Sequence, residues 1–325
     1  MPGMSNMLAE LKYSEKEFPS IIVNDGTVTS LEQATRWISD NLEALKKELA
    51  CSGAILFRGF PVSNAVAYDT FFSAFDYPNF TYKESLSNAV RINHTEYVFT
   101  ANEAPKEVEI YLHNEMAQTP VFPGIISLFC ENAAEHGGAT VLCRSDSVYD
   151  ALVAADAKAT QKLQKLGVKY TTLMPKDDAP ETGQGRSWRG TLSVETTEQA
   201  EHKLRSLGYS WRWVDNGALE AQTAALPAIR TLESGRTVFF NQLIAAYLGW
   251  KGVKENPDSA LCYGDDSSLD KGYLDQVVAI AKSLSYDLEW RDGDVAVADN
   301  NLVMHGRLPY SGERKRKVLV VLGAQ

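Results

Sequence analysis

The sequence predicts an α+β fold with a mainly β core, a β-sandwich or jelly roll decorated with helices. Three observations predict it. Short apolar or alternating runs recur along the whole chain, with few long helical periods between them. Turn signals such as His136-Gly-Gly separate those runs. No repeat or linker divides the 325 residues, so one domain over 1–325, with room for a sizeable core, is expected.

Taken in order, Ser20 to Asn24 (SIIVN) reads as a short strand. Leu31, Ala34, Trp37, Ile38, Leu42, Leu45 and Leu49 fall near one helical period, which predicts an amphipathic helix from Leu31 to Leu49. Gly53-Ala-Ile-Leu-Phe57 follows as a buried strand, and Val66 to Phe75 as a helix. From Asn79 to Ala104 the chain is polar and turn-rich, as a loop would be. Strands are then predicted at Val108–Glu115, Ile125–Cys130 and Ala139–Cys143, helices at Ser147–Ala155 and Lys158–Leu166, and a further strand at Val168–Met174. Pro175 to Arg189 is rich in proline, glycine and charge and reads as a loop; its length suits a segment, about 175–190, that covers a site. Residues 197–207 read as helix, Tyr209–Val214 and Arg236–Asn241 as strands, and Leu269–Leu284 as an amphipathic helix. Asp294–Ala298 and Lys317–Leu322 are the last strands, flanking a turn that carries His305.

Composition narrows the partners. A net charge of −10 disfavours a broad nucleic-acid or anionic-membrane surface, since both need a basic footprint. The N-terminus shows no secretory pattern, and no apolar stretch approaches the roughly 20 residues of a membrane span. Cys51, Cys130, Cys143 and Cys262 lack paired metal spacing, and the first three sit in or beside apolar runs, as buried thiols do. A soluble, cytoplasmic protein acting on a small molecule is expected; the sequence leaves its oligomeric state open.

Chemistry concentrates at Tyr111-Leu-His-Asn-Glu-Met116. On an extended strand, side chains two apart share a face, so His113 and Glu115 could hold one metal ion while Asn114 points away. His305 in Met304-His-Gly-Arg307 would supply a third ligand. Two imidazoles and one carboxylate on one side of an ion form the facial arrangement of non-haem Fe(II) oxygenases, with positions left for co-substrate and oxygen. With five histidines and 42 acidic residues a His-x-Glu pair also arises by chance, and His94-Thr-Glu96 is a second one. Spacing alone does not choose between them. His113 is favoured because it ends an alternating apolar strand, because a Gly-Gly turn and a strand bearing Thr140 follow it, and because His305 stands near a basic final strand. In that strand Arg314-Lys-Arg-Lys317 runs into Val318-Leu-Val-Val-Leu322. An arginine facing inward there needs an anionic partner, which a dicarboxylate would provide.

His113-Asn-Glu-Met-Ala, Gly137-Gly-Ala-Thr140 and His305-Gly-Arg-x-Pro-Tyr…Arg316 resemble the taurine dioxygenase / clavaminate synthase-like family of Fe(II)- and 2-oxoglutarate-dependent dioxygenases. The likeness runs from Phe57-Arg-Gly-Phe to Leu322 and includes Asn102-Glu-Ala-Pro, Gly185-Arg-Ser-Trp, Phe240-Asn and Gly293-Asp-x5-Asn300. It implies a double-stranded β-helix (jelly roll), with Fe(II), 2-oxoglutarate and dioxygen as cofactor and co-substrates. It also implies iron ligands His113, Glu115 and His305, with Thr140 and Arg316 on 2-oxoglutarate and Arg314 as a rival to Arg316. The implied activity is hydroxylation of an unactivated C–H bond, with release of succinate and CO2; desaturation and cyclisation are alternatives within the class. A carboxylate at Glu115 argues against halogenation. A small amino-acid-like substrate, free or carrier-bound, is the expectation, with Glu109, Arg186, Trp188 and Asn241 as candidate substrate contacts. The alternative from another class is a non-catalytic jelly-roll protein that binds a small molecule in the same pocket.

Overall fold

In the computed structural model, residues 18–81, 85–87, 91–101, 104–178 and 185–324 are described. Asn102 and Glu103 of the Asn102-Glu-Ala-Pro stretch, and residues 179–184 of the expected covering loop, lie outside them.

Two sheets form the centre. The larger has six strands in the order Ser20–Val23, Ala54–Arg58, Val295–Asp299, Ile125–Asn132, Lys317–Gly323 and Phe99–Thr100. Only its first pair is parallel. The smaller has four antiparallel strands, Ser285–Leu288, Thr140–Arg144, Val303–Arg307 and Ile110–His113.

Strand alternation explains how the layers stack. Leu56, Leu128, Ala296 and Val320 of the larger sheet pack against Leu142, Leu288 and Val303 of the smaller. Their neighbours Phe57, Phe129, Val297 and Leu319 point to the opposite face, under Trp37, Leu45 and Phe71. Those three come from the helices Leu31–Asp40, Leu42–Ser52 and Ala65–Ser73. On the far face of the smaller sheet, Val141, Cys143 and Met304 pack against Val148, Leu243 and Val277. These belong to the helices Ser145–Leu166, Leu243–Gly249 and Lys271–Ser283. The result is helix, sheet, sheet, helix, the jelly-roll sandwich with helical covers that the sequence predicts. Phe129 shows what holds it. Fully buried, with Tyr68 stacked on it at 5.1 Å, it would leave a cavity costing about 4 kcal/mol if cut to alanine.

Local signals set the helix ends. Ser30 and Thr196 cap their helices in reciprocal capping boxes with Gln33 and Gln199, and Asn64 and Asp270 each accept a backbone N–H at a helix start. Three elements differ from expectation. The single helix expected over Leu31–Leu49 is two, broken at Asn41, whose side chain donates to the Trp37 carbonyl at 2.7 Å. The strand expected to reach Glu115 ends at His113. The two helices expected between Ser147 and Leu166 form one segment with a non-helical Asp156.

A third sheet, Leu261–Tyr263, Val168–Met174, Leu219–Gln222 and Ser210–Trp213, stands beside the sandwich. Met174, Leu219 and Ala221 on it pack with Trp188, Ala200 and Leu204 of the helices Trp188–Leu192 and Thr197–Ser206.

Candidate metal and co-substrate centre

His113 and His305 lie directly opposite each other on adjacent strands. Their ring centroids are 4.3 Å apart. His305, expected in a turn, is in the middle of a strand, which fixes its direction more firmly. The pairing slips between His305 and Arg307, so residues 111 and 112 face Gly306 alone. Only glycine fits there: a Cβ on Gly306 would come within 2.5 Å of the Ile110 carbonyl oxygen.

Glu115 arrives by a turn rather than by strand alternation, and two buried asparagines hold that turn. Asn300 accepts the Glu115 N–H at 2.6 Å and donates to the carbonyls of Glu115 at 3.0 Å and Pro123 at 2.8 Å. Asn114, buried and turned away as expected, donates to the Asn300 carbonyl at 2.7 Å. Met116, next in the chain, takes a left-handed backbone (φ 58°) that completes the reversal.

Three donor atoms converge. Glu115 Oε2 is 3.6 Å from His113 Nε2 and 3.4 Å from His305 Nε2. One ligand atom from each residue can be chosen so that all lie within 4.8 Å of one another. Ligands about 2.1 Å from one ion stand about 3 Å apart when adjacent, so a small relaxation inward suffices. His113 Nδ1–H donates to the Tyr111 carbonyl at 2.8 Å, which leaves the Nε2 lone pair facing the site. Burial, then the neighbouring His113, pushes the His305 imidazole below its usual range, toward the neutral form a metal needs. Burial alone would raise the Glu115 carboxyl; the two histidines and Arg91 outweigh it and hold it well below the usual range. Two nitrogens and an ionised oxygen suit a divalent iron. His94 and Glu96, the rival pair, are exposed and outside this cluster.

The cavity beside these atoms is also walled by Thr140, Arg316, Arg307 and Arg91. Thr140 Oγ1 accepts a hydrogen bond from the Trp290 indole at 2.9 Å, which leaves its own proton free to donate. Arg316 reaches the cavity with its Nε donating to the Gly138 carbonyl at 2.9 Å. Burial, then the nearby Arg307, pushes its guanidinium down to about 10, still charged at neutral pH. Arg314 points elsewhere: it pairs with Asp292 at 2.5 Å on the surface.

The four candidate substrate contacts do not line this cavity. Glu109 is exposed just before the His113 strand. Arg186 donates to the Ser87 carbonyl at 3.2 Å. Trp188 is buried edge-on to Trp213, centroids 5.2 Å apart. Asn241 is buried with its amide spent on the Ala228 carbonyl and the Leu243 N–H, while its backbone brackets Asn114. Sequence reading missed Arg91, whose Nη2 is 3.5 Å from Glu115 Oε1, and Arg307, which donates to the carbonyls of Ala104, Pro105 and Val108. Arg91 sits in a polar stretch without periodicity; Arg307 could have been found in the His305-Gly-Arg phrase. Burial pushes the Cys130 and Cys143 thiols up to about 12, so neither is a thiolate ligand.

The family profile described as taurine catabolism dioxygenase TauD, TfdA family matches residues 24–322. A clavaminate synthase-like protein of Arabidopsis thaliana is 32% identical over 309 residues, 93% of each chain. The dapdiamide synthesis protein DdaC of Enterobacter agglomerans is 25% identical over 285 residues, 84% of this chain and 83% of that one. Among solved structures, an asparagine oxygenase in complex with Fe(II), 2S,3S-3-hydroxyasparagine and succinate superposes with a TM-score of 0.51. That match covers 99% of this chain and 90% of the other at 13% identity, a likeness of fold.

Proposed function

Because the chain belongs to the taurine catabolism dioxygenase TauD, TfdA family and is therefore an Fe(II)- and 2-oxoglutarate-dependent dioxygenase, we propose that His113, Glu115 and His305 hold its iron. The observation that carries this reading is the convergence of His113 Nε2, His305 Nε2 and Glu115 Oε2 on one point. When bound, iron with 2-oxoglutarate and dioxygen supplies the oxidising power to break an unactivated C–H bond, with succinate and CO2 as by-products.

The chain's own residues prepare that chemistry. The Tyr111 carbonyl fixes the His113 tautomer. Asn300 and Asn114 fix the Glu115 turn, so the carboxylate need not be ordered when the metal arrives. Thr140, with its acceptor side occupied by Trp290, donates its proton to a carboxylate oxygen of 2-oxoglutarate. Arg316, half-buried and charged, pairs with the distal carboxylate. Partial burial of this pair away from bulk water strengthens it.

The primary substrate is a small molecule, and we read it as amino-acid-like, hydroxylated at carbon. Support comes from the asparagine oxygenase of the same fold. The chain is read as one catalytic domain, with the third sheet as part of its substrate side. The test is succinate release from 2-oxoglutarate with Fe(II), screened against free L-amino acids and the same residues as carrier thioesters. At least one should stimulate turnover well above the uncoupled rate. Tight 2-oxoglutarate binding with no succinate from any of them would favour the binding-protein reading.

A further inference from the structure

A second cavity, sharing no wall residue with the first among the described residues, lies between the third sheet and the turn that carries Glu115. Gln118 and Thr119 close it on the turn side, Thr172 and Met174 come from the sheet, and Thr191 and Tyr209 face them. Among the described residues, four buried polar atoms without a hydrogen-bond partner belong to the segments around it: Gln118 Oε1 and Tyr209 OH in the wall, Ser85 Oγ beside the wall residue Leu86, and Trp188 Nε1 in the helix that contributes Thr191. Buried polar groups are nearly always paired, so the two in the wall, Gln118 Oε1 and Tyr209 OH, point to a hydrogen-bonding occupant.

We propose that this cavity is a binding subsite for a neutral carboxamide, the end of the primary substrate remote from the carbon that is oxidised. The second half of that statement rests on the function proposed above; the subsite itself does not. Gln118 Oε1 accepts only, and so requires a donor from the ligand, while the Tyr209 hydroxyl can donate. A carboxamide presents an NH2 group and a carbonyl together and meets both. A carboxylate offers Gln118 no proton, and among the described residues no charged side chain lines the wall to give a carboxylate or an ammonium its counter-charge. Met174, Leu192, Leu204 and Ala221 suit the alkyl portion behind the amide. Gln118 is three residues from Glu115, so their Cα atoms are at most about 11 Å apart. That is within the span of one small extended molecule.

The experiment uses three probes of equal size, butyramide, butyrate and butylammonium, in saturation-transfer difference NMR. The full chain is tested with and without Zn(II) and 2-oxoglutarate. Butyramide should receive signal at least about fivefold stronger than the two charged probes, and Tyr209→Phe should lose at least about fivefold of it, the worth of one hydrogen bond. The melting temperature of Tyr209→Phe should not fall, since the hydroxyl removed has no partner. Absence of butyramide signal, as a cavity holding only a buried water would give, overturns the proposal. Equal signal from all three probes on the wild type, or full signal in Tyr209→Phe, does so as well. Butyramide signal from a protein that shows no charge-transfer band with Fe(II) and 2-oxoglutarate would sink the iron reading and leave the subsite standing.

Discussion

Replacing Asn300 by alanine tests whether the Glu115 turn is held in place before a metal arrives. Asn300 is fully buried, and its amide makes three hydrogen bonds, at 2.6, 3.0 and 2.8 Å, to the backbone of Glu115 and Pro123. Alanine leaves one N–H and two carbonyls buried without those partners. At roughly 1 kcal/mol or more for each unpaired group, the loss is about 3–4 kcal/mol. That is a large share of an ordinary domain's stability of about 5–15 kcal/mol, yet short of unfolding it. The turn should relax, and the carboxylate must then be ordered by the metal itself. Loss of such an outer partner typically weakens metal binding about 10- to 100-fold. Urea unfolding reads the first effect and calorimetric titration with Mn(II) the second. Asn300→Asp makes the test sharper: it keeps the acceptor for the Glu115 N–H but sets a carboxylate against two carbonyl oxygens, so it should bind no better than the alanine variant. An Asn300→Ala variant that unfolds at the wild-type urea concentration and binds Mn(II) within about twofold of wild type would show that the turn is not held by Asn300.

Other consequences can be read from single substitutions. Arg316→Ala should raise KM for 2-oxoglutarate about 100-fold in the succinate assay, the scale of breaking a buried charge pair, while the surface Arg314→Ala should leave it within about twofold. Gly306→Ala forces a Cβ to within 2.5 Å of the Ile110 carbonyl, so it should cost about 2–3 kcal/mol in urea unfolding and separate the two histidine strands. Burial alone would raise the Asp146 carboxyl, but its pair with Arg144 at 2.5 Å wins and holds it below the usual range. A depressed folded value stabilises above the unfolded pKa and is lost as pH falls through the folded one. Asp146→Asn should therefore be destabilised by about 2 kcal/mol at pH 7 and lose that deficit as the solution is acidified past the ordinary carboxylate range. Equal deficits at both pH values would refute the assignment.

The sandwich was legible because burial on both faces leaves a mark. The strands Ala54–Arg58, Ile125–Asn132 and Lys317–Gly323 carry Leu56, Leu128 and Val320 into the space between the sheets, and Phe57, Phe129 and Leu319 under the helices. They therefore read as unbroken apolar runs. Leu219–Gln222, Ile229–Thr231, Leu261–Tyr263 and Ser285–Leu288 are only three or four residues long and left no usable period. The helix Leu243–Gly249 is two turns, too short to show a face. At the site, residue types and order pointed to His113, Glu115 and His305, but the strand argument for Glu115 was physically wrong. The turn is made by Asn114 and Asn300, single polar residues whose role depends on partners 185 and more positions away. Spacing cannot reveal such partners. Trp290 escaped for the same reason: its value lies in one hydrogen bond to Thr140 across the fold. Trp188 and Asn241 do not line the cavity beside His113, Glu115 and His305, because an aromatic in a long insert and an amide at a strand end also serve packing and capping.

His113, Glu115 and His305 are proposed to hold one iron. Anaerobic titration of the metal-free protein with Fe(II) and 2-oxoglutarate, followed by the weak visible charge-transfer band of that pair, tests it most directly. The band should form in wild type and in His94→Ala, whose imidazole is exposed and away from the cluster, and should be absent in His113→Ala and His305→Ala. A band that persists in His113→Ala, or that never forms in wild type, would contradict the iron site described here.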